Sequence, residues 1–78
     1  MRTYMVVERF KEGCWDKAYE RYHTAGRLLP EGLKYLNSWA NQEKNICYQL
    51  METSSPELFS DWFSQWDDLV ELELVPID

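Results

Sequence analysis

The spacing of apolar residues changes along this chain in an order that few folds can satisfy. Residues 3–9 ("TYMVVER") are β-branched and aromatic and end at a polar turn around Lys11, Glu12 and Gly13, as a strand does. From Cys14 the spacing lengthens. Trp15, Ala18, Tyr22, Ala25 and Leu29 recur every three or four residues, with charged side chains between them. That is the stripe of an amphipathic helix, and Pro30 and Gly32 are placed to stop it. Residues 33–40 and 46–53 return to alternation and are joined by the polar loop "NQEKN", as in a hairpin. Ser55, Pro56 and Glu57 then suit a cap, a first helical position and the helix dipole. Phe59, Trp62, Phe63, Trp66 and Leu69 form a second stripe. Residues 70–77 alternate once more, and Pro76 puts the end of that strand at an edge.

The order is β-α-β-β-α-β. With crossovers of the usual hand it predicts an α+β, ferredoxin-like fold, an antiparallel sheet with both helices on one face. The 78 residues make a single domain, 1–78, near the size at which one core barely suffices. Sorting the strands by alternation gives two faces. Met5, Val7, Leu36, Tyr48, Leu50, Leu72 and Leu74 are expected beneath the helices. Tyr4, Val6, Glu8, Tyr35, Asn37, Trp39, Cys47, Gln49, Met51, Glu71, Glu73 and Val75 are expected on the opposite side. That side is too apolar to leave bare and too polar for a dry core. A two-fold homodimer, sheet against sheet and enclosing water or a polar ligand, satisfies both conditions.

Composition narrows the partners. A formal charge of −6 argues against neutralising nucleic-acid phosphates or adsorbing to anionic lipid. No apolar run reaches a membrane span, and strand residues begin too early for a signal segment, so a cytoplasmic protein is expected. Cys14 and Cys47 are too few for a disulfide scaffold and lack zinc-ligand spacing, so reduced thiols and no metal are expected.

The stretches "YMVVERF", "LLPEGLKYLNSW" and "CYQLMETSSPELFSDWFSQWDDLVELELVPI" resemble a family of small uncharacterised bacterial proteins, a domain of unknown function frequent in cyanobacteria. They cover nearly everything outside the first loop. By its element order the chain also looks like a member of the dimeric α/β-barrel superfamily, which includes antibiotic-biosynthesis monooxygenases and heme-degrading enzymes. The resemblance implies two sheets closing a barrel, with any pocket inside it or between sheet and helices. Heme-degrading members use an Asn, a Trp and a His together. Here Asn37 and Trp39 lie two apart on one strand and His23 lies on the first helix, which departs from that pattern, and no cofactor is expected.

Most single residues have a plain structural reading. His23 fits a partly exposed helical position, with a general base or heme ligand as its chemical alternative. Cys14 lies near a helix N-terminus, where a thiol gains reactivity, and Cys47 fits a small packed side chain. Trp62, Phe63 and Trp66 are core at helical spacing. Asp67, Asp68, Glu71 and Glu73 read as solvated charge rather than a cation site. Glu8 is the sharpest feature: a carboxylate within a central strand needs a partner, and Gln49 on the neighbouring strand is the natural one. The pair either fixes the dimer register or presents an acid or base to a ligand.

Three functions follow. The first is a homodimer binding a small organic ligand through Glu8, Tyr35, Asn37, Trp39 and Gln49. The second is a cofactor-independent monooxygenase acting on an aromatic substrate, with Glu8 or His23 moving a proton. The third is a pure interaction module.

Overall fold

Strand β1 (Arg2–Phe10) carries apolar side chains on both faces, and a strand of that kind belongs inside a sheet rather than at its edge. The computed structural model describes residues 1–77. Along them run β1, α1 (Trp15–Ala25), β2 (Lys34–Asn41), β3 (Ile46–Thr53), α2 (Leu58–Phe63) and β4 (Val70–Pro76), in the expected order. The strands pair antiparallel in the spatial order β2-β3-β1-β4, so β1 is interior and Pro76 ends an edge strand. This is the ferredoxin-like α+β arrangement.

The two faces are not sorted as alternation suggested. Tyr4, Val6, Glu8, Cys47, Gln49 and Met51 are buried and lie on the helix side. Met5, Val7, Tyr48 and Leu50, expected beneath the helices, line the opposite, open face. Only β4 behaves as expected, with Leu72 and Leu74 inward. Register supplies the reason: Val6 pairs with Leu74 and Glu8 with Leu72, and directly paired residues share a face. Grouping Leu72 with Met5 and Val7 requires a one-residue slip, which turns a strand over.

Strand β2 departs in another way. A bulge between Tyr35 and Asn37 breaks its alternation. Tyr35 therefore pairs with Met51 on the covered side, whereas Asn37 pairs with Leu50 and Trp39 with Tyr48 on the open side. Leu36, at the bulge, is exposed instead of packed under a helix.

The helices are shorter than their stripes. Helix α1 ends at Ala25 because Gly26 adopts φ 72°, ψ −160°, a region essentially closed to other residues. Pro30 and Gly32 lie beyond the stop. Ser55 gives α2 no side-chain cap. Thr53, fully buried, organises that entry: its hydroxyl donates to the Gly32 carbonyl at 2.8 Å and accepts the Ser55 N–H at 3.0 Å. Phe59, Trp62, Trp66 and Leu69 are core as expected, but they pack against Tyr4, Val6 and Met51 instead of Met5 and Val7, with Tyr4 and Phe59 edge to face at 5.1 Å. Phe63 is only partly buried at the margin of that cluster.

Candidate functional site

Helix α1 fills its side of the core poorly. Its only buried residue is Ala18, while Tyr19 and Tyr22 remain more than one-third exposed. A small side chain facing a sheet leaves space, and a cavity of about 240 Å³ opens between α1 and the strands. Glu8, Cys47 and Gln49 form its polar floor, and Tyr19, Tyr22, Trp62 and Trp66 contribute aromatic walls.

Polar groups on the floor form a chain. Gln49 Nε2 donates to Glu8 Oε1 at 2.7 Å, and Gln49 Oε1 accepts from Arg27 Nε at 3.2 Å. Burial raises the Glu8 carboxyl above its ordinary 4.5, against the lowering effect of Gln49, Cys47 and Arg27. Burial also pushes the Cys47 thiol up to about 12, helped by the Glu8 carboxylate, so it is not a nucleophile at neutral pH. Tyr19 is raised by burial and then by Cys47 and Glu8, which locates its phenol beside the same floor.

Arg27 is held from three directions. Its carbonyl accepts both the Trp62 and the Trp66 indole N–H, at 2.8 and 3.0 Å. Its guanidinium carbon lies 3.7 Å from the Tyr35 ring centre and 5.0 Å from that of Tyr22. Nη1 also reaches the Tyr22 hydroxyl at 3.3 Å. An indole pair on one carbonyl and two aromatic faces on one cation fix this side chain far more than a surface arginine requires.

The family described as a domain of unknown function, DUF3303, matches residues 2–77. The chain belongs to that family. Among curated proteins and among solved structures there is no significant match to it.

In this DUF3303 chain the five expected ligand residues do not converge. Glu8, Tyr35 and Gln49 meet around Arg27 on the covered side, and Tyr35 also shares a 2.7 Å hydroxyl–hydroxyl bond with Ser38. Asn37 and Trp39 lie on the open face. The Glu8–Gln49 bond forms as expected, but facing α1, so it cannot set a register between two sheets. His23 is exposed on α1, its ring 5.7 Å from Tyr22, and does not line the cavity. Cys14 is half-buried at the start of α1 and packs against the core.

Of the acidic residues that follow α2 and lie on β4, Asp68 and Glu73 are engaged with cations. Arg21 holds both Asp68 oxygens at 2.8 and 2.7 Å, and Arg9 holds Glu73 at 2.9 Å. Among the described residues no three His, Cys, Asp or Glu side chains gather as a metal site, and no helix is long and apolar enough to cross a membrane. Arg27, Tyr19 and Ser38 are the cavity residues that sequence reasoning missed. Arg27 follows Gly26 directly, so the early helix stop was the one signal that could have marked it.

Proposed function

We propose that this DUF3303 chain is a homodimer closed through its open sheet faces, each protomer binding a small organic ligand between its sheet and α1. The ligand half of this reading rests on the cavity beneath α1: aromatic walls over a hydrogen-bonded polar floor are the composition of a small-molecule site. Its volume, about 240 Å³, falls just below the roughly 300 Å³ where drug-sized pockets begin, so the ligand is small. Glu8, Gln49 and Tyr35 serve this site. Asn37 and Trp39 serve the dimer.

Support for the second copy comes from the open face itself. Met5, Val7, Leu50 and Val75 are half-buried and ringed by exposed Leu36, Trp39 and Tyr48, more contiguous apolar surface than a lone small domain usually leaves bare. Charge on that face is nearly balanced, Arg9 and Lys34 against Glu52, Glu71 and Glu73. Two chains of net charge −6 can therefore meet there with little repulsion. Native mass spectrometry of freshly purified protein tests both halves, since it reports subunit count and any retained small molecule together. A monomer at micromolar concentration removes the dimer. Failure of Trp fluorescence to respond to any of a panel of quinones, phenols and aromatic acids removes the ligand.

A cofactor-independent oxygenase acting on an electron-rich aromatic substrate is the second reading. Glu8 favours it, because a buried carboxyl raised above its ordinary value at a cavity floor is suited to taking or giving a proton. Oxygen uptake that depends on such a substrate and is lost in Glu8→Gln distinguishes it from simple binding.

A further inference from the structure

The cavity contains a cation that no carboxylate contacts directly, although Glu8 is close enough to feel its charge. Sequence supplies acid in excess, fourteen Asp and Glu against eight Lys and Arg, and Arg9 and Arg21 each hold one. Arg27 does not. Its polar partners are the Gln49 amide and the Tyr22 hydroxyl, both uncharged, and among the described residues Nη2 has no hydrogen-bond partner. The backbone around it is also constrained, with Gly26 at φ 72° before it and Leu28 at φ 61° after it. A leucine in the left-handed region costs conformational energy that packing elsewhere must offset. Strained neighbours, the double indole contact on its carbonyl and the two tyrosine faces hold Arg27 in place, and its side chain lines the cavity.

We propose that the cavity takes a small planar carboxylic acid of benzoate type, its carboxylate on the free edge of Arg27 and its ring among Tyr19, Tyr22 and Trp66. This rests on the reading that the cavity binds a ligand and adds the ligand's class. Guanidinium is the side chain best matched to a planar carboxylate. At roughly 30 Å³ per water, 240 Å³ is the space of about eight waters, which suits an acid of about ten non-hydrogen atoms.

A second negative charge next to Glu8 is tolerated best if Glu8 carries a proton, so acid binding is accompanied by proton uptake wherever the free carboxyl is ionised. The groups facing Glu8 are Cys47 and Gln49 from β3, Tyr19 and Tyr22 from α1, Arg27 from the following loop, and apolar Leu72 from β4. Cys47 and Tyr19 are both held in their neutral forms by burial. Arg27 is already charged. Glu8 is the group left to accept the proton.

Benzoate, benzamide and benzylamine, matched in shape and differing in charge, test this against the wild-type chain through the fluorescence of Trp62 and Trp66 and by calorimetry. Benzoate should bind at least tenfold more tightly than benzamide at pH 6, and benzylamine more weakly than either. Arg27→Gln should reduce the preference for benzoate over benzamide to less than about threefold. If that variant does not fold, Arg27→Lys keeps the charge without the planar fork and should weaken benzoate at least threefold. Calorimetry in two buffers of different ionisation enthalpy should find proton uptake on benzoate binding in the wild type and none in Glu8→Gln. Benzamide binding as tightly as benzoate overturns the acid class and leaves a ligand cavity standing. No binding by any of the three overturns the cavity reading as well. Proton uptake that persists in Glu8→Gln overturns the part given to Glu8.

Discussion

The covered and open faces of the sheet differ in how their polar groups are satisfied. Beneath the helices, Val6 and Met51 are wholly inaccessible, yet Glu8 and Gln49 are buried beside them. On the open side Met5, Val7 and Leu50 are only half-buried, and half of the Trp39 surface is exposed. The open face carries five charged residues, Arg9, Lys34, Glu52, Glu71 and Glu73, whereas the covered face keeps a single carboxyl in the driest part of the sheet. A buried amide–carboxylate pair is tolerated because each group satisfies the other, and among the described residues no buried side-chain nitrogen or oxygen lacks a partner. The apolar centre of the open face, Met5, Val7 and Leu50, has no helix packed over it among the described residues.

The largest effect expected from this contrast concerns the tryptophans. Trp62→Ala removes a 1% exposed side chain and one of the two indole bonds to Arg27, and should cost about 3–5 kcal/mol in urea unfolding. Trp39→Ala, on the open face, should leave the stability of the isolated protomer within about 1 kcal/mol, because it vacates no packed space. Equal costs at the two positions would mean that the faces do not differ. Next in size is Leu50→Lys, which places a charge in the middle of the open face. A desolvated, unpaired charge costs about 2–5 kcal/mol at an interface, so light scattering should find monomer with an unchanged circular dichroism spectrum. If the variant elutes and scatters like the wild type, the open face is not where two copies meet.

Element order, hairpin, edge proline and the α2 stripe were all legible in the sequence, because each depends on local spacing or on one residue's backbone limits. The Glu8–Gln49 bond was legible too, since a carboxylate in a central strand restricts its own partners. Which face those strands turn inward was not. Tyr4, Val6 and Met51 alternate with Met5, Val7 and Leu50, so both faces of β1 and β3 are apolar and hydrophobicity alone cannot choose. Leu72 and Leu74 held the answer through their pairing with Glu8 and Val6, but register is non-local. The bulge at Leu36 has no glycine or proline to announce it, and it alone separates Tyr35 from Asn37 and Trp39. Arg27 escaped notice because its role depends on tyrosines from two different elements and on tryptophans more than thirty residues away.

Glu8→Gln should have a smaller effect, seen as a change of slope with pH. A carboxyl raised above its ordinary 4.5 by burial adds stability that is full below that pH and is lost as pH rises through the folded value. The wild type should therefore weaken on going from pH 4 to pH 8, and the Gln variant should not. Guanidinium unfolding midpoints at the two pH values measure this, and parallel declines would mean that Glu8 is not the group responsible.

The smallest effect belongs to Asp68, and it has the opposite sign. Its carboxylate is lowered from 3.8 to about 2, first by the hydrogen bond from Arg21, at a fully solvated position. A lowered carboxyl contributes stability that is present above 3.8 and is lost as pH falls through about 2. Asp68→Asn should thus destabilise the chain equally at pH 5 and pH 8, and its difference from the wild type in urea melts should shrink as pH falls from 5 to 2. Because the pair is exposed, 0.5 M NaCl should erase most of the difference, whereas the Glu8 slope, arising from burial, should survive the same salt. Salt sensitivity therefore separates wet from dry electrostatics in this molecule. A Glu8 slope that collapsed with salt would mean that water reaches the covered face freely, and the contrast between the two faces would lose its physical basis.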